Sequence, residues 1–306
     1  MPLTYDQISG ITEKKFIPKL YDNIFDSDPL LQRAKKKFYQ KIDGGTSILV
    51  PLNYATNTSG GWYAGAETLS TADNDVITAA EYVWKQVYDN ISINRIDELK
   101  NSGDAQIIDF VKSKMKIAEK TLATRLATGL YSSGSDPKSI VGLGSMMSTS
   151  NTIGGISQSS YSWWQPKLDT ATTTLTIAAM QARDTAATVN NDAPTVVMTT
   201  RTLYNSYYAL LQPQQRFQDS ETAKGGFSSL MFNSKPVLAD SYCTANSVLF
   251  LNENYLHLFV HKDEDMRFEP FQKPVNQNVK VAKIFWAGAF GVSNLRLQAA
   301  LTATTS

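Results

Sequence analysis

Cysteine occurs once in this sequence, at Cys243, and histidine only twice, at His257 and His261. A single thiol excludes an intrachain disulfide and any thiolate metal cluster built from one chain, and it suits a reducing compartment. The two histidines stand four apart in "YLHLFVHKDED", the spacing of a helical zinc pair, but the glutamate that should follow the first one is missing. The segment also alternates as a strand does, so ordinary strand histidines are expected there. Asp263, Glu264 and Asp265 lack the alternating oxygen ligands and the glycine of a calcium loop, and they read as a solvated turn. No cofactor or metal is expected.

Net charge is nearly absent too. Twenty-nine basic residues stand against 28 acidic ones, a formal +1, so the whole molecule carries no footprint for tight nucleic-acid binding. No uncharged apolar run approaches the roughly 18 residues of a membrane span. The opening "MPLTYDQISGITEKKF" lacks the basic and apolar segments of a secretory signal. Without one, the sequons at Asn57 and Asn90 carry no meaning. Catalytic signatures are missing as well. There is no G-x-x-x-x-G-K-[ST] loop and no G-x-G-x-x-G after a strand. "GLGSMM" (142–147) fails G-x-S-x-G, because no glycine stands two places after Ser145. Asp184 and Asp240 have no partner visible from spacing. The expectation is a protein that is not an enzyme.

What is present is a polar, turn-rich chain of 306 residues with 42% hydrophobic residues, enough for one large domain or two medium ones. Residues 1–45 read as an arm. In it "DPLLQRAKKKFYQKI" predicts a short helix with Asp28 as N-cap and Pro29 at the first helical position. Arg33, Lys35, Lys36, Lys37 and Lys41 follow with no acidic residue among them, as a solvated face or a face turned toward polyanion. Next, "TSILVPLNYA" and "EYVWKQVYDNISINRI" (81–96) read as strands. The long Gly-, Ser- and Thr-rich connection between them forms an extended hairpin-like loop at 46–80. Within it "TNTSGGWYAGAETLS" sets Trp62 and Tyr63 among turn residues. Such a pair either folds back onto its own core or is covered from outside. The loop carries Glu67, Asp73 and Asp75 and no lysine or arginine.

A long helix is predicted at about 104–131, with Ser102 or Asp104 to cap it and Gly134 past its end. Ile108, Val111, Met115, Ala118, Leu122 and Leu126 recur there at three- and four-residue steps. "GSDPKSIVGLGSMMS" reads as loop, "TLTIAAMQARDTAATV" as helix, "APTVVMTT" as a buried strand, and "RTLYNSYYALLQ" as a helix closed by Pro213. "SSLMFNSKPVLAD" reads as two strands about Asn233–Ser234. Strands continue through "SVLFLNENYLHLFVHKDEDMRFEPF", broken near Asp263, and through one long run at 278–301. The class is α+β.

In this order the parts resemble the major capsid proteins of tailed bacteriophages with the Hong Kong 97 fold. "SIVGLGSMM" after the helix, "APTVVMTTRTLYNSYYALL", "FNSKPVLADSYCTANSVLFLNENYLHLFV" and "MRFEPF" followed by "VAKIFWAGAFGVSNLRLQAAL" carry the resemblance together, over nearly the whole chain. It implies an N-terminal arm (1–45), an extended loop (46–80), a peripheral domain with the spine helix (81–154), an axial domain (155–260) and a return to the peripheral sheet (261–306). It further implies a coat subunit of the virion, assembled in the bacterial host cytoplasm. Pentamers and hexamers of this one chain would close an icosahedral shell around double-stranded DNA, held weakly and without sequence preference.

On that resemblance the extended loop lies on a neighbouring subunit. Trp62, Tyr63, Glu67, Asp73 and Asp75 are then the expected interface residues. Arg33, Lys35, Lys36, Lys37 and Lys41 form an inner-surface or inter-subunit basic arm. The early start of the arm implies a separate scaffolding protein, alongside a portal, and no membrane. Members that lock their shells by cross-linking use a loop lysine, and none stands between Lys41 and Lys85. An encapsulin-like compartment with enzyme cargo is the alternative within the fold. A monomeric glycan-binding α+β protein and a tail or decoration protein are the alternatives outside it.

Overall fold

The computed structural model describes residues 28–100, 110–211 and 230–304. The expected caps Ser102 and Asp104, the stripe residue Ile108, Pro213 and the arm before residue 28 lie outside them. Two compact units share the chain. The smaller includes Tyr88–Leu122 and Phe268–Ile284, and the larger takes the described residues of 27–87, 123–267 and 285–306.

The larger unit begins with helix α1 (Pro29–Lys37). Pro29 sits at the first helical position, where its fixed φ suits a helix and its missing N–H costs nothing. Asp28 takes the N-cap place with φ −81° and ψ 98°, although its side chain makes no cap hydrogen bond. Leu30, Leu31, Ala34 and, just past the helix, Phe38 are buried, an apolar stripe at helical spacing. Strand β1 (Tyr39–Ile42) then pairs in parallel with β12 (Leu256–His261), from Tyr39↔Leu258 to Ile42↔His261. β12 runs antiparallel to the far end of β14 (Val279–Val292), from Leu256↔Val292 to Val260↔Gly288.

β2 (Ile48–Asn53) and β3 (Ile77–Tyr82) form a separate two-stranded ladder, registered from Ile48↔Tyr82 to Asn53↔Ile77. Its foot is pinned to β14. The buried Tyr82 hydroxyl donates to the Val292 carbonyl (2.7 Å) and accepts from the Val292 N–H (3.0 Å).

A short two-stranded ladder, β5 (Thr152–Ile153) with β6 (Ile156–Ser157), precedes a six-stranded sheet that builds the other core of this unit. Its strands, in spatial order, are β7 (Lys167–Thr174), β15 (Ala299–Thr304), β11 (Ser247–Leu251), β8 (Val196–Thr199), β10 (Lys235–Ala239) and β9 (Met231–Phe232). β8 is buried at every position, as its continuous apolar run requires. β9 and β10 turn at Asn233 and Ser234, whose φ values of 45° and 63° fit a type I′ hairpin turn. Two helices, Ile177–Ala187 and Arg201–Leu211, bury Met180, Ala187, Leu203 and Tyr207 in the cluster that also holds Val197, Phe250 and Leu301.

In the smaller unit, β4 (Lys85–Asn94, here from Tyr88) and β13 (Arg267–Gln272, here from Phe268) flank the first half of β14. Ile91, Ile93, Ala282 and Ile284 are buried. The helix Phe110–Leu130 passes from this unit into the larger one, and Ala118, Leu122 and Leu126 lie buried along it as the stripe predicts.

The structure departs from the sequence reading in several places. Tyr39–Ile42, read into the arm helix, is strand β1, and the strand read at 81–96 is divided, its first two residues ending one strand at Tyr82 and another beginning at Lys85. The expected loop after the long helix contains a four-residue helix, Leu143–Met146. β7 was not expected, and a short helix (Arg95–Lys100) ends the strand read at 81–96. The run at 278–301 is not one strand returning to one sheet. It breaks after Val292, where Asn294 Oδ1 accepts from the Arg296 N–H (3.1 Å), and β15 then enters the six-stranded sheet between β7 and β11. Gln298 is fully buried there, its side chain bonded to the backbone of Asn252, which holds the crossing in place.

Gly142 allows the chain to pass against the end of the long helix. A Cβ at this position would stand 2.3 Å from the Ser132 nitrogen and 2.5 Å from the Gly129 carbonyl oxygen. Neither backbone atom can yield without moving the helix end. Gly142→Ala is expected to cost about 3 kcal/mol or more, at the upper end of overpacking effects. A thermal melt within a degree of wild type would show that the helix end gives way freely.

Candidate functional site: an exposed loop and its surroundings

The connection between β2 and β3, residues 54–76, leaves the ladder as a braced arm. Tyr54 continues the pairing through its N–H to the Val76 carbonyl (3.0 Å) and its hydroxyl to the Asp75 carbonyl (2.7 Å). Its ring stacks on Trp163 at 5.2 Å between centroids. Further out, Asn57 Oδ1 accepts from the Ser59 N–H (2.8 Å), and Ser59 Oγ donates across the loop to the Ala72 carbonyl (2.7 Å). Asn74 Nδ2 closes the same knot, donating to Ser59 Oγ (2.6 Å) and Asn57 Oδ1 (3.0 Å). Beyond this polar lock lie residues 60–71, all exposed.

Trp62 is fully exposed, at 106%, and Tyr63 is 66% exposed. The pair does not fold back onto its own core. Leu69 is also exposed, as are Leu49 and Ile77 on the outward face of the ladder. Glu67, Asp73 and Asp75 are exposed around them. The five expected interface residues thus sit on one loop that presents rings and carboxylates outward.

The basic arm is arranged differently. Arg33 grips Glu253 with both ends of its fork, Nε to Oε1 and Nη2 to Oε2, each at 2.6 Å. Lys37 Nζ reaches the same carboxylate at 3.1 Å, and Thr195 Oγ1 donates to it at 2.9 Å. The Glu253 side chain is only 1% exposed. Burial alone would push its carboxyl up, but the hydrogen bonds from Arg33, Thr195 and Lys37 outweigh it and hold the group below its ordinary value. Lys41 pairs with Asp265 (2.9 Å). Asp265 is also held low, with bonds from Tyr39 and Lys41 overcoming partial burial. Of the five basic residues, Arg33, Lys37 and Lys41 therefore meet carboxylates of their own chain, and Lys35 and Lys36 are exposed. Asp265 and Glu264, which pairs with Arg267 (2.7 Å), belong to local ion pairs rather than to a free turn.

The remaining candidates are structural. His257 stacks on Phe259 and meets Ser293 Oγ at 3.0 Å, and burial pushes its ring below the ordinary value. His261 packs edge-on to Trp84 and accepts from the Asp263 N–H (3.2 Å). Among the described residues no group of three His, Cys, Asp or Glu side chains is placed to hold a metal, and no helix is long and apolar enough to cross a membrane. Asp184 pairs with Lys235 and accepts from Asn233 (3.1 Å). Asp240 accepts from the Leu30 N–H (3.3 Å), the Tyr131 hydroxyl (3.0 Å) and the Tyr242 N–H (3.0 Å). Burial, with Asp240 nearby, pushes the Cys243 thiol up to about 12, which makes it a poor nucleophile.

No family model matches the sequence, and no curated protein does. Solved structures match along the whole chain. The capsid of cyanophage A-1(L) superimposes with a TM-score of 0.73 at 18% identity, covering 99% of this chain and 100% of that one. The capsid of a native GTA particle gives 0.69 at 11% identity with 100% of both chains covered. A holo encapsulin complex from Synechococcus elongatus gives 0.63 at 9% identity, over 99% of this chain and 96% of that one. The chain has the fold of tailed-phage capsid proteins, as the order of its parts predicts.

Proposed function

We propose that the protein is the major coat subunit of a tailed bacteriophage, a structural and not a catalytic protein. Pentamers and hexamers of it close an icosahedral shell around packaged double-stranded DNA in the host cytoplasm. The observation that carries this reading is the braced loop with Trp62 and Tyr63 turned to solvent. A monomer gains nothing from holding two large rings in water on an arm fixed by its own hydrogen bonds. A lattice does: each ring buried on a neighbour contributes roughly 2–3 kcal/mol, and identical heterologous contacts repeat until the shell closes. Glu67, Asp73 and Asp75 make the same contact selective. The arm, loop, spine-helix, axial and peripheral divisions implied by the resemblance fit this role. Exposed Lys35 and Lys36 serve as the arm's weak contact with DNA, since few phosphates neutralised means little salt-dependent grip.

The encapsulin match supports a second reading within the same fold, a compartment around enzyme cargo. Particles purified from the native source separate the two. The coat reading expects nuclease-protected DNA inside, and a stoichiometric cargo enzyme with no DNA would overturn it. The loop also bears on maturation. With no lysine between Lys41 and Lys85, mature particles are expected to run as a single monomer-sized band on a denaturing gel, with no ladder. A ladder of covalent multimers that excision of the loop removes would contradict this.

A further inference from the structure

Where β2 ends, three segments of the larger unit meet around an open groove of about 150 Å³. Asn53 and Tyr54 come from the end of β2, and Trp163 and Trp164 from a short helical turn (Ser162–Trp164) after the β5–β6 ladder. Asn294 and Arg296 come from the break between β14 and β15. The wall is held from behind. Trp164 is buried, and its indole N–H donates to the Ile153 carbonyl (3.0 Å). Trp163 packs among Tyr54, Trp164 and Tyr161, with centroids 5.2, 5.5 and 5.9 Å away. The Tyr54 hydroxyl is taken by the Asp75 carbonyl.

The groups left open share one chemistry. Among the described residues Arg296 is the one charged member of the lining, and its exposed guanidinium meets no acceptor. The Trp163 indole N–H and the Asn53 amide are unbonded among them too. Asn294 Oδ1 accepts from the Arg296 N–H, which leaves its Nδ2 to donate. Donors thus converge with a positive charge and no carboxylate, an inventory that suits an acceptor-rich anion.

We infer that the groove docks an acidic side chain, Asp or Glu, on a peptide segment of another protein. The carboxylate meets Arg296 and the surrounding N–H groups, and the flanking residues cover Tyr161, which stands exposed beside them. The groove is smaller than the roughly 300–1,000 Å³ of small-molecule pockets, so it suits one side chain anchored by its neighbours. Arginine next to large rings is also the composition that anchors protein contacts. This surface is separate from the exposed tip at 60–71, and the inference does not depend on the shell reading.

Two rhodamine-labelled, C-amidated peptides test this by fluorescence anisotropy on the purified chain. One is Gly-Ser-Leu-Glu-Leu-Ser-Gly, with glutamate as its sole carboxylate, and the other carries glutamine in its place. The glutamate peptide is expected to bind about tenfold or more tightly than its counterpart, as a charged hydrogen bond allows. Arg296→Gln should remove that preference and leave the thermal melt at the wild-type temperature. Trp163→Phe, which keeps a ring and deletes the N–H, should weaken the glutamate peptide about threefold. Equal binding of the two peptides, binding of neither, or a preference that survives in Arg296→Gln would overturn the inference. So would displacement of the peptide by glucuronate and not by glutarate, which would make the groove a site for an acidic sugar. An Arg296→Gln chain that folds but loses the wild type's ability to form shells would assign the groove to a contact between copies, and would overturn it too.

Discussion

A Trp62→Ala, Tyr63→Ala variant is expected to melt at the wild-type temperature and to form no shells. The two halves of this result come from the same observation. Side chains exposed at 106% and 66% contribute almost nothing to the folded monomer, so their removal leaves the core, the β2–β3 ladder and the Asn57–Ser59–Asn74 lock untouched. In an assembled contact each ring would bury an area worth roughly 2–3 kcal/mol. Losing both costs about 4–6 kcal/mol per contact, or roughly 10³–10⁴ in its equilibrium constant at 1.4 kcal/mol per tenfold. Every subunit of the lattice repeats that loss. Thermal melting and sedimentation velocity on the same preparation read both halves. A melt several degrees lower would assign the rings to the chain's own core. Shells at wild-type yield would remove them from the interface.

The second large effect lies in folding. Glu253→Ala is expected to destabilise the chain by about 3 kcal/mol, because breaking a buried pair leaves its partner charge uncompensated. That figure is the low end of the range, since Arg33 and Lys37 retain 23% and 51% exposure and partly rehydrate. The same change frees the arm helix, which reaches Glu253 through both cations. The pH dependence has a definite sign. The folded-state carboxyl titrates below its unfolded value near 4.5, so its contribution is fully present above that value and is lost as pH falls through the folded pKa. Asp265 acts in the same direction. The wild-type melting temperature should therefore stay level from neutral pH to about pH 5 and fall below it. In Glu253→Ala the acid fall should be shallower, from a lower plateau. A plateau within a degree of wild type would remove Glu253 as an anchor.

The loop and its rings were legible in the sequence because the signals are local. The strand in "TSILVPLNYA" and the one read from residue 81 bracket a Gly- and Ser-rich stretch, and aromatics there stand out against turn residues, although the returning strand itself pairs from Ile77. The Asn233–Ser234 turn, the buried β8 and the apolar stripe through Ala118, Leu122 and Leu126 are local in the same sense. What stayed hidden depends on distance along the chain. Arg33 and Glu253 are 220 residues apart, so a run of bases read as an open face while three of its members, Arg33, Lys37 and Lys41, meet carboxylates of the same chain. β7, "KLDTATTT", shows no apolar alternation and becomes a strand through parallel pairing with β15. Its edge position was therefore invisible until the C-terminal run was seen to divide between two sheets.

Particle size tests the central claim most directly. Purified chain, alone and co-expressed with the genes that flank it, should be sedimented and viewed by negative-stain microscopy. Closed shells, tens of nanometres across, are the predicted result, and they would leave only the cargo to be identified. A 33.8 kDa monomer under every condition would contradict the account and return the exposed rings of the loop to a ligand such as a glycan.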